Sequence, residues 1–214
     1  MKIISVNLGV EREMPNGKAV GKTGIYKLPV EQPVRVSRLG LEGDAICDTE
    51  NHGGVDQAVY LYSAEDYAWW SQQLGAPLAP GTFGENLTIS GQESAQFSIG
   101  DRLDCGDVLL EVTSPRIPCV TLALRMEDPQ FVKRFRSAER PGFYCRVLRE
   151  GSIQTGTPVR YEPYGGEKIT ILETFRDYYT PDESEQNLHR YLRTPVHYKV
   201  REDKEALLRK AQGE

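Results

Sequence analysis

The sequence has few cysteines and no paired cysteine motif. Its four cysteines, Cys47, Cys105, Cys119 and Cys145, are far apart, and none forms a Cys-x-x-Cys pair. A structural zinc site, a thioredoxin-type motif and an iron–sulfur centre are therefore not expected. Reduced thiols in a cytoplasmic protein are the simplest interpretation.

The chain also lacks long apolar runs and an excess of positive charge. No run approaches the ~20 apolar residues of a membrane span, and no signal peptide is expected at the N-terminus. A net charge of -5 argues against binding a nucleic-acid polymer. The Gly-x-x-x-x-Gly-Lys-Ser/Thr loop, the His-Glu-x-x-His zinc helix and the Gly-x-Ser-x-Gly elbow are absent as well. We expect neither a membrane nor a nucleic-acid polymer as a partner.

Short strands separated by glycine-rich turns predict a β-rich domain over residues 1–163. Val34 and Val36 alternate with Arg35 and Ser37, which is the period of a half-buried strand. Strands are predicted at Lys2–Asn7, Thr23–Leu28, Val34–Leu39, Ala58–Tyr62, Leu87–Ser90, Arg102–Leu103, Val108–Thr113, Gly142–Leu148 and Val159–Glu162. Many short strands with such turns are typical of a barrel or a sandwich.

Helices are predicted in two parts of the chain. Ser63 resembles an N-cap and Gly75 a C-terminal stop. Further helical patterns cover residues 122–125 and 129–137, and three helices follow in residues 167–214, near Lys168–Tyr179, Glu183–Arg193 and Glu202–Ala211. This small three-helix C-terminal domain is too short to hold a thick core, so we expect it to dock on the β domain or on a second subunit of a homodimer.

The segment from Thr113 to Cys119 carries the strongest chemical signal. Pro115 and Pro118 hold the backbone extended on either side of Arg116. An adjacent guanidinium favours the thiolate of Cys119, the form that attacks electrophiles or binds a soft metal. A buried structural cysteine beside a surface arginine is the alternative, because free cysteine is often buried.

Two glycine-rich segments are weaker candidates. His52-Gly53-Gly54 offers backbone N–H groups and an imidazole to an anion, although a plain tight turn explains it equally well. Asn86, after Gly84 and Glu85, suits the edge of a heterocycle, or bonds its own loop. The cations Lys27, Arg38, Arg116 and Arg125 are candidates for a pocket that binds a phosphate-bearing cofactor.

The order of these motifs resembles the MOSC domain, which is named after the C-terminal part of molybdenum-cofactor sulfurases. The resemblance rests on Gly43-Asp44, His52-Gly53-Gly54-x-Asp56-x-Ala58, Gly84-Glu85-Asn86-Leu87, Ser114-x-Arg116-x-Pro118-Cys119 and Arg140-Pro141-Gly142-Phe143. Within that family the chain is similar to the YiiM group. The resemblance implies a mainly β fold, namely a MOSC-type β-barrel with a few peripheral helices, followed by the small three-helix domain.

The resemblance also implies a function. The chain would bind molybdenum cofactor, with Cys119 as metal ligand, and would reduce N-hydroxylated compounds such as hydroxylaminopurine-type bases, N-hydroxylamines and amidoximes. Cys119 and His52 are the expected catalytic residues, and the expected cofactor-binding residues are Lys27, Arg38, His52, Gly53, Gly54, Asn86, Ser114, Arg116 and Cys119. Electrons would come from an external flavo- or iron–sulfur reductase. The family-level association with pyridoxal phosphate is not carried over.

Two other functions remain open at this stage. In the first, Cys119 carries a persulfide and the protein transfers sulfur. In the second, the chain is a non-catalytic carrier of molybdenum cofactor.

Overall fold

A computed structural model describes residues 1–14, 21–49 and 52–212. Its strands are β1 (Lys2–Gly9), β2 (Arg12–Glu13), β3 (Lys22–Thr23), β4 (Lys27–Val30), β5 (Val34–Ser37), β6 (Gly40–Leu41), β7 (Val59–Ser63), β8 (Leu87–Ser90), β9 (Arg102–Cys105), β10 (Val108–Pro115), β11 (Phe143–Arg149), β12 (Gly151–Ile153) and β13 (Arg160–Glu162). Its α-helices are α1 (Ala64–Leu74), α2 (Val120–Arg125), α3 (Phe131–Ala138), α4 (Ile171–Tyr179), α5 (Glu185–Leu192) and α6 (Tyr198–Ala211). Each predicted strand contains or overlaps an observed one.

The largest sheet has eight strands in the order β13-β9-β10-β11-β7-β8-β1-β4. Only the β7–β8 pair is parallel within it, and the other pairs are antiparallel. The sheet curls so that the segment before β13 reaches β1, where Ile3 N donates to Thr157 O at 2.9 Å and Val159 N to Met1 O at 3.0 Å.

The predicted β-barrel is not confirmed, because the sheet does not close in the described residues. Contact between β1 and the segment before β13 is an isolated bridge, Lys2 to Pro158, rather than a named strand pair. Helices also occupy about as much of the described chain as strands, so the fold is a mixed, sheet-centred one rather than mainly β.

The strand pattern buries one continuous apolar core. Val34 and Val36 are buried while Arg35 is exposed, which confirms the alternation predicted for β5. Cys145 in β11 is also fully buried, as its alternating context predicts. A second cluster, rich in aromatic rings, joins α1 and α3 to the sheet; it includes Tyr60, Tyr62, Trp70, Phe83, Phe131 and Phe135. Aromatic pairs of this kind contribute about 0.5–1.5 kcal/mol each beyond the area that they bury.

The ends of α1 follow its sequence signals. Ser63 Oγ accepts from Asp66 N at 3.0 Å, and Gly75 adopts a left-handed conformation with φ 70°. Both observations confirm the predicted cap and stop. In the described residues, no helix is long and apolar enough to cross a membrane.

The three C-terminal helices share the core of the sheet. Ile171, Tyr191 and Val196 belong to the same buried cluster as Val112 of β10. Their bounds agree closely with the predicted helices, except that α6 begins at Tyr198, four residues earlier than predicted. The division into separate domains at residues 163–167 remains a prediction.

A buried carboxylate ties these helices to the sheet. Asp56 Oδ2 accepts from Tyr198 N at 2.8 Å, and Asp56 Oδ1 lies 3.0 Å from Arg146 Nε of β11. Thr113 Oγ1 donates to Asp56 O at 2.6 Å. One residue of the predicted His-Gly-Gly-x-Asp motif therefore serves the fold rather than a ligand.

We predict that Asp56→Ala lowers the free energy of unfolding by about 2–3 kcal/mol, because it removes the carboxylate beside Arg146 Nε and the acceptor of the first N–H of α6. Urea titration followed by circular dichroism measures this change. Glu11→Gln is the control, since the Glu11–Lys22 pair is half exposed, is screened by solvent and should contribute little to stability. If Asp56→Ala lowers the free energy of unfolding no more than Glu11→Gln does, the structural role assigned to Asp56 is contradicted.

Candidate functional site

A cavity opens where the chain leaves β10. Pro115 is the last residue of that strand and pairs with Phe143, after which the chain runs extended to Cys119. Cys119 has φ -127° and ψ 172° and precedes the first residue of α2. The extended backbone predicted around Pro115 and Pro118 therefore delivers Cys119 to the cavity wall.

Cys119 is held as a thiolate at neutral pH. Burial on its own would raise the pKa of the thiol, but the hydrogen bond from His52, the charge of Arg116 and the backbone N–H of Leu122 together lower it to about 6. The thiolate is the nucleophilic and metal-binding form of cysteine. The alternative of an inert core cysteine does not describe this residue.

Arg116 is a buried cation beside that thiolate. Only 5% of the residue is exposed, and its guanidinium stacks on the rings of Tyr60, at 5.4 Å, and Phe135, at 5.8 Å. Among the described residues, Nη1 is buried without a hydrogen-bond partner. A buried charged donor left unpaired is costly, so a cavity containing one suits an anionic ligand.

Lys27 also lines the cavity, but its charge is already balanced. Its Nζ lies 2.5 Å from both carboxylate oxygens of Asp44, and both side chains are less than a tenth exposed. Asp44 additionally accepts from Gly9 N at 2.8 Å and from Asn86 Nδ2 at 2.8 Å. Lys27 therefore brings an ion pair to the cavity, whereas Arg116 brings a donor, Nη1, that has no hydrogen-bond partner among the described residues.

Asn86 lines the cavity, as predicted for a cofactor-binding residue, but both ends of its amide are engaged within the chain. Its Oδ1 accepts from Tyr60 N at 3.1 Å, and its Nδ2 donates to Asp44. The side chain lines the cavity while it fixes β7 to the neighbouring loop. The preceding Glu85 is fully buried and accepts from Gly81 N at 2.6 Å and from Tyr67 Oη at 2.7 Å. Burial raises the pKa of that carboxyl.

His52 lies at the more exposed side of the cavity. Its side chain is 36% exposed, and its Nδ1 is 3.6 Å from Asp48 Oδ2. It hydrogen-bonds the sulfur of Cys119, a contact that the sequence did not predict. Gly53 and Gly54 have φ of 79° and 80°, a backbone region that other residues rarely adopt, so this turn requires glycine.

Three predicted site residues lie outside the cavity lining. Arg38 is exposed in the turn between β5 and β6, where its backbone N donates to Glu150 at 2.9 Å. Ser114 is buried in β10 opposite Tyr144, and Gly54 opens the turn at Val55–Gln57. The cavity that contains Lys27, His52, Gly53, Asn86, Arg116 and Cys119 therefore does not include them.

Several lining residues escaped sequence reasoning. Tyr60, Tyr144 and Gln57 line the cavity, as does Cys47. The two tyrosines lie in apolar strands, where an aromatic residue predicts core. Only the tertiary pairing of β7 with β11 exposes their rings to the cavity.

The acidity of Cys119 can be measured directly. We predict that its alkylation by iodoacetamide, followed by peptide mass spectrometry, rises with pH with a midpoint near 6, because the rate follows the thiolate fraction. His52→Ala should move the midpoint upward, since it removes the hydrogen bond that stabilises the charged sulfur. Cys47, whose pKa is raised by burial, is the internal control. A Cys119 midpoint no lower than that of Cys47 contradicts the assignment.

The Lys27–Asp44 pair gives a second prediction. Asp44→Asn should destabilise the fold by about 3 kcal/mol, because it leaves the Lys27 ammonium buried without a counter-charge. Adding Lys27→Met should restore a large part of that loss, since it removes the stranded charge. Thermal and urea unfolding of the two variants provide the comparison. A double variant that is less stable than Asp44→Asn contradicts this account.

Taken together, the fold and the site define a protein with an acidic cysteine and a buried arginine in one cavity of an open, curled sheet. The family model of the MOSC domain matches residues 48–160. YflK of Bacillus subtilis (strain 168) is 36% identical over 170 residues, which span 79% of this chain and 76% of YflK.

A protein named Reductase from Gibberella moniliformis (strain M3125 / FGSC 7600) is 36% identical over 143 residues, which span 64% of this chain and 25% of that longer protein. The crystal structure of YiiM from Geobacillus stearothermophilus superposes with a TM-score of 0.79 at 29% identity, covering 97% of this chain and 98% of that one. The chain therefore belongs to the MOSC domain family and, within it, to the YiiM group.

Proposed function

We propose that this chain binds molybdenum cofactor in the Cys119 cavity and reduces N-hydroxylated compounds there. The observation that carries the proposal is the pairing of a cysteine whose pKa is about 6 with a buried arginine whose Nη1 has no partner among the described residues. Membership of a family named after molybdenum-cofactor sulfurases supports the choice of cofactor.

The donors of the cavity fit this cofactor. A thiolate is a soft ligand of the kind that binds soft metals. The lowered pKa of Cys119 means that it is deprotonated without the help of a metal. The unpaired Nη1 of Arg116 suits the phosphate that the pterin carries. Lys27 would contribute less to phosphate binding than the sequence suggested, because Asp44 already neutralises it.

Each residue of the chain would have a distinct task. Cys119 would hold the metal, and Arg116 would fix the anionic end of the cofactor. His52, partly exposed and bonded to the sulfur, would hold a proton near the departing oxygen and recover it from solvent. When bound, the cofactor supplies the two-electron chemistry that removes oxygen from an N–OH group.

The cavity wall also suits a planar substrate. Tyr60 and Tyr144 line the cavity with ring centroids 5.1 Å apart. Flat rings of this type pack against heterocycles such as hydroxylaminopurine-type bases. The name of the fungal relative, Reductase, agrees with this class of reaction, although the match covers only 25% of that protein.

A persulfide carrier is the second candidate, and the same observation favours it. An acidic, partly accessible thiolate is the group that accepts and passes on a sulfur atom. The two candidates differ in what purified protein contains: a pterin and molybdenum, or one additional labile sulfur atom on Cys119.

The test is metal, pterin and activity analysis of protein expressed with molybdate in a cofactor-competent host. We predict that molybdenum and pterin co-purify with wild type and fall at least about tenfold in Cys119→Ala, because the ligand is lost. Cys119→Ser should abolish reduction of hydroxylaminopurine while the circular dichroism spectrum stays unchanged.

Cys47→Ser is the matched control, since this second thiol lines the same cavity, and it should retain both cofactor and activity. Equal molybdenum in wild type and Cys119→Ala would overturn the proposal. An added mass of one sulfur on wild type, without pterin, would establish the persulfide carrier instead.

A further inference from the structure

A basic surface lies on the helix behind the cavity wall. Phe135 of α3 is fully buried behind that wall, and its ring packs at 5.8 Å against the guanidinium of Arg116, which lines the cavity. The neighbouring positions of the same helix, Lys133, Arg134 and Arg136, are exposed on its outer side. One helix thus has an inner side at the candidate site and an outer side in solvent.

The charge of this helix is opposite to that of the whole chain. Between Phe131 and Ala138 there are three basic residues and no acidic one, in a protein of net charge -5. Arg134 pairs with Asp128 at 3.0 Å, and the nearby Arg176 pairs with Glu139. Within the described part of the chain, no ion pair is formed by Lys133 or Arg136, so their charges face outward uncompensated.

A groove and exposed aromatic rings adjoin these charges. Arg136 stacks on Tyr179 at 3.9 Å, and the neighbouring Tyr178 is 61% exposed. Both Arg136 and Tyr179 line a groove between α3 and α4. Arginine and tyrosine are enriched at protein–protein interfaces, where they supply most of the binding energy.

The groove also contains carboxylates, and each is engaged within the chain. Glu139 pairs with Arg176, and Glu173 with Arg190 at 2.7 Å. Asp177 pairs with the buried Lys204, and Asp182 accepts from Ser184 N at 3.0 Å. Glu139, Glu173 and Asp177 are thus balanced by cations of this chain, whereas Asp182 keeps its negative charge.

We propose that the outer side of α3, together with Tyr178 and Tyr179, is the docking surface for an acidic electron-transfer protein. This inference rests on the proposed reductase function, because each reduction of an N–OH group to N–H consumes two electrons and two protons and releases water. The electrons must come from a donor, whose class here is a protein carrying flavin or an iron–sulfur cluster. The surface has the charge to attract such a donor. It lies on the opposite side of α3 from Arg116, the arginine that adjoins Cys119.

The experiment compares protein electron donors with a small-molecule donor. Reduction of hydroxylaminopurine by the cofactor-loaded enzyme is measured with reduced flavodoxin, with reduced ferredoxin, and with dithionite-reduced methyl viologen. We predict that the double variant Lys133→Glu, Arg136→Glu raises KM for the acidic protein donor at least about tenfold and weakens its dependence on salt. Its kcat with methyl viologen should equal that of wild type, because neither residue lines the cavity.

Two controls make the result specific. The double variant Arg209→Glu, Lys210→Glu reverses two exposed charges in the last turn of α6. It should leave KM for both protein donors unchanged. The double variant Lys133→Gln, Arg136→Gln removes the two charges without reversing them and should give an intermediate KM for the protein donors. It replaces the Glu double variant if the latter fails to fold.

Three outcomes would overturn part of this account. An unchanged KM for the protein donors in both α3 variants removes α3 as the docking surface. Turnover with methyl viologen but with neither acidic protein removes the acidic donor. Absence of turnover with all donors, methyl viologen included, removes the reductase function on which the inference rests.

Discussion

The arrangement of the site depends on one interaction, the attraction between the Cys119 thiolate and the buried guanidinium of Arg116. Burial opposes both charges, and each charge offsets part of that cost for the other. The rings of Tyr60 and Phe135 hold the guanidinium in place, and those rings belong to the aromatic cluster that joins α1 and α3 to the sheet. The packing of that cluster therefore helps to lower the pKa of the sulfur, although less than His52 does. His52 adds a hydrogen bond from the exposed side.

Two buried carboxylates stabilise the segment around His52. Asp44 joins the end of β1, the start of β4 and Asn86 through four short contacts. Asp56 joins the turn after Gly54 to Arg146 and to the first N–H of α6. Because both accept from groups far apart in the sequence, the chain is anchored at positions 44 and 56, on either side of His52. The C-terminal helices thereby contribute to positioning the site without lining its cavity.

Local signals predicted most elements and the two central residues of the site. Alternation in β5, the Ser63 cap and the proline-flanked Cys119 all depend on near neighbours, and each agrees with the structure. Errors arose where contacts between residues far apart in the sequence determine the structure. Lys27 and Asp44 are 17 positions apart, and no spacing rule predicts their ion pair. Arg38 was grouped with Arg116 by charge alone, although its turn places it elsewhere. Closure of the sheet into a barrel also depends on distant pairing, which between β1 and the segment before β13 is one isolated bridge in the described residues.

The measurement that tests the central claim most directly is X-ray absorption spectroscopy at the molybdenum edge on protein carrying selenocysteine at position 119. If Cys119 is the ligand, a molybdenum–selenium scattering path appears that wild type lacks, because selenium occupies the position of the sulfur. Selenocysteine at position 47 provides the comparison and should give no such path. Molybdenum bound in full amount with no selenium neighbour at position 119 would contradict the account.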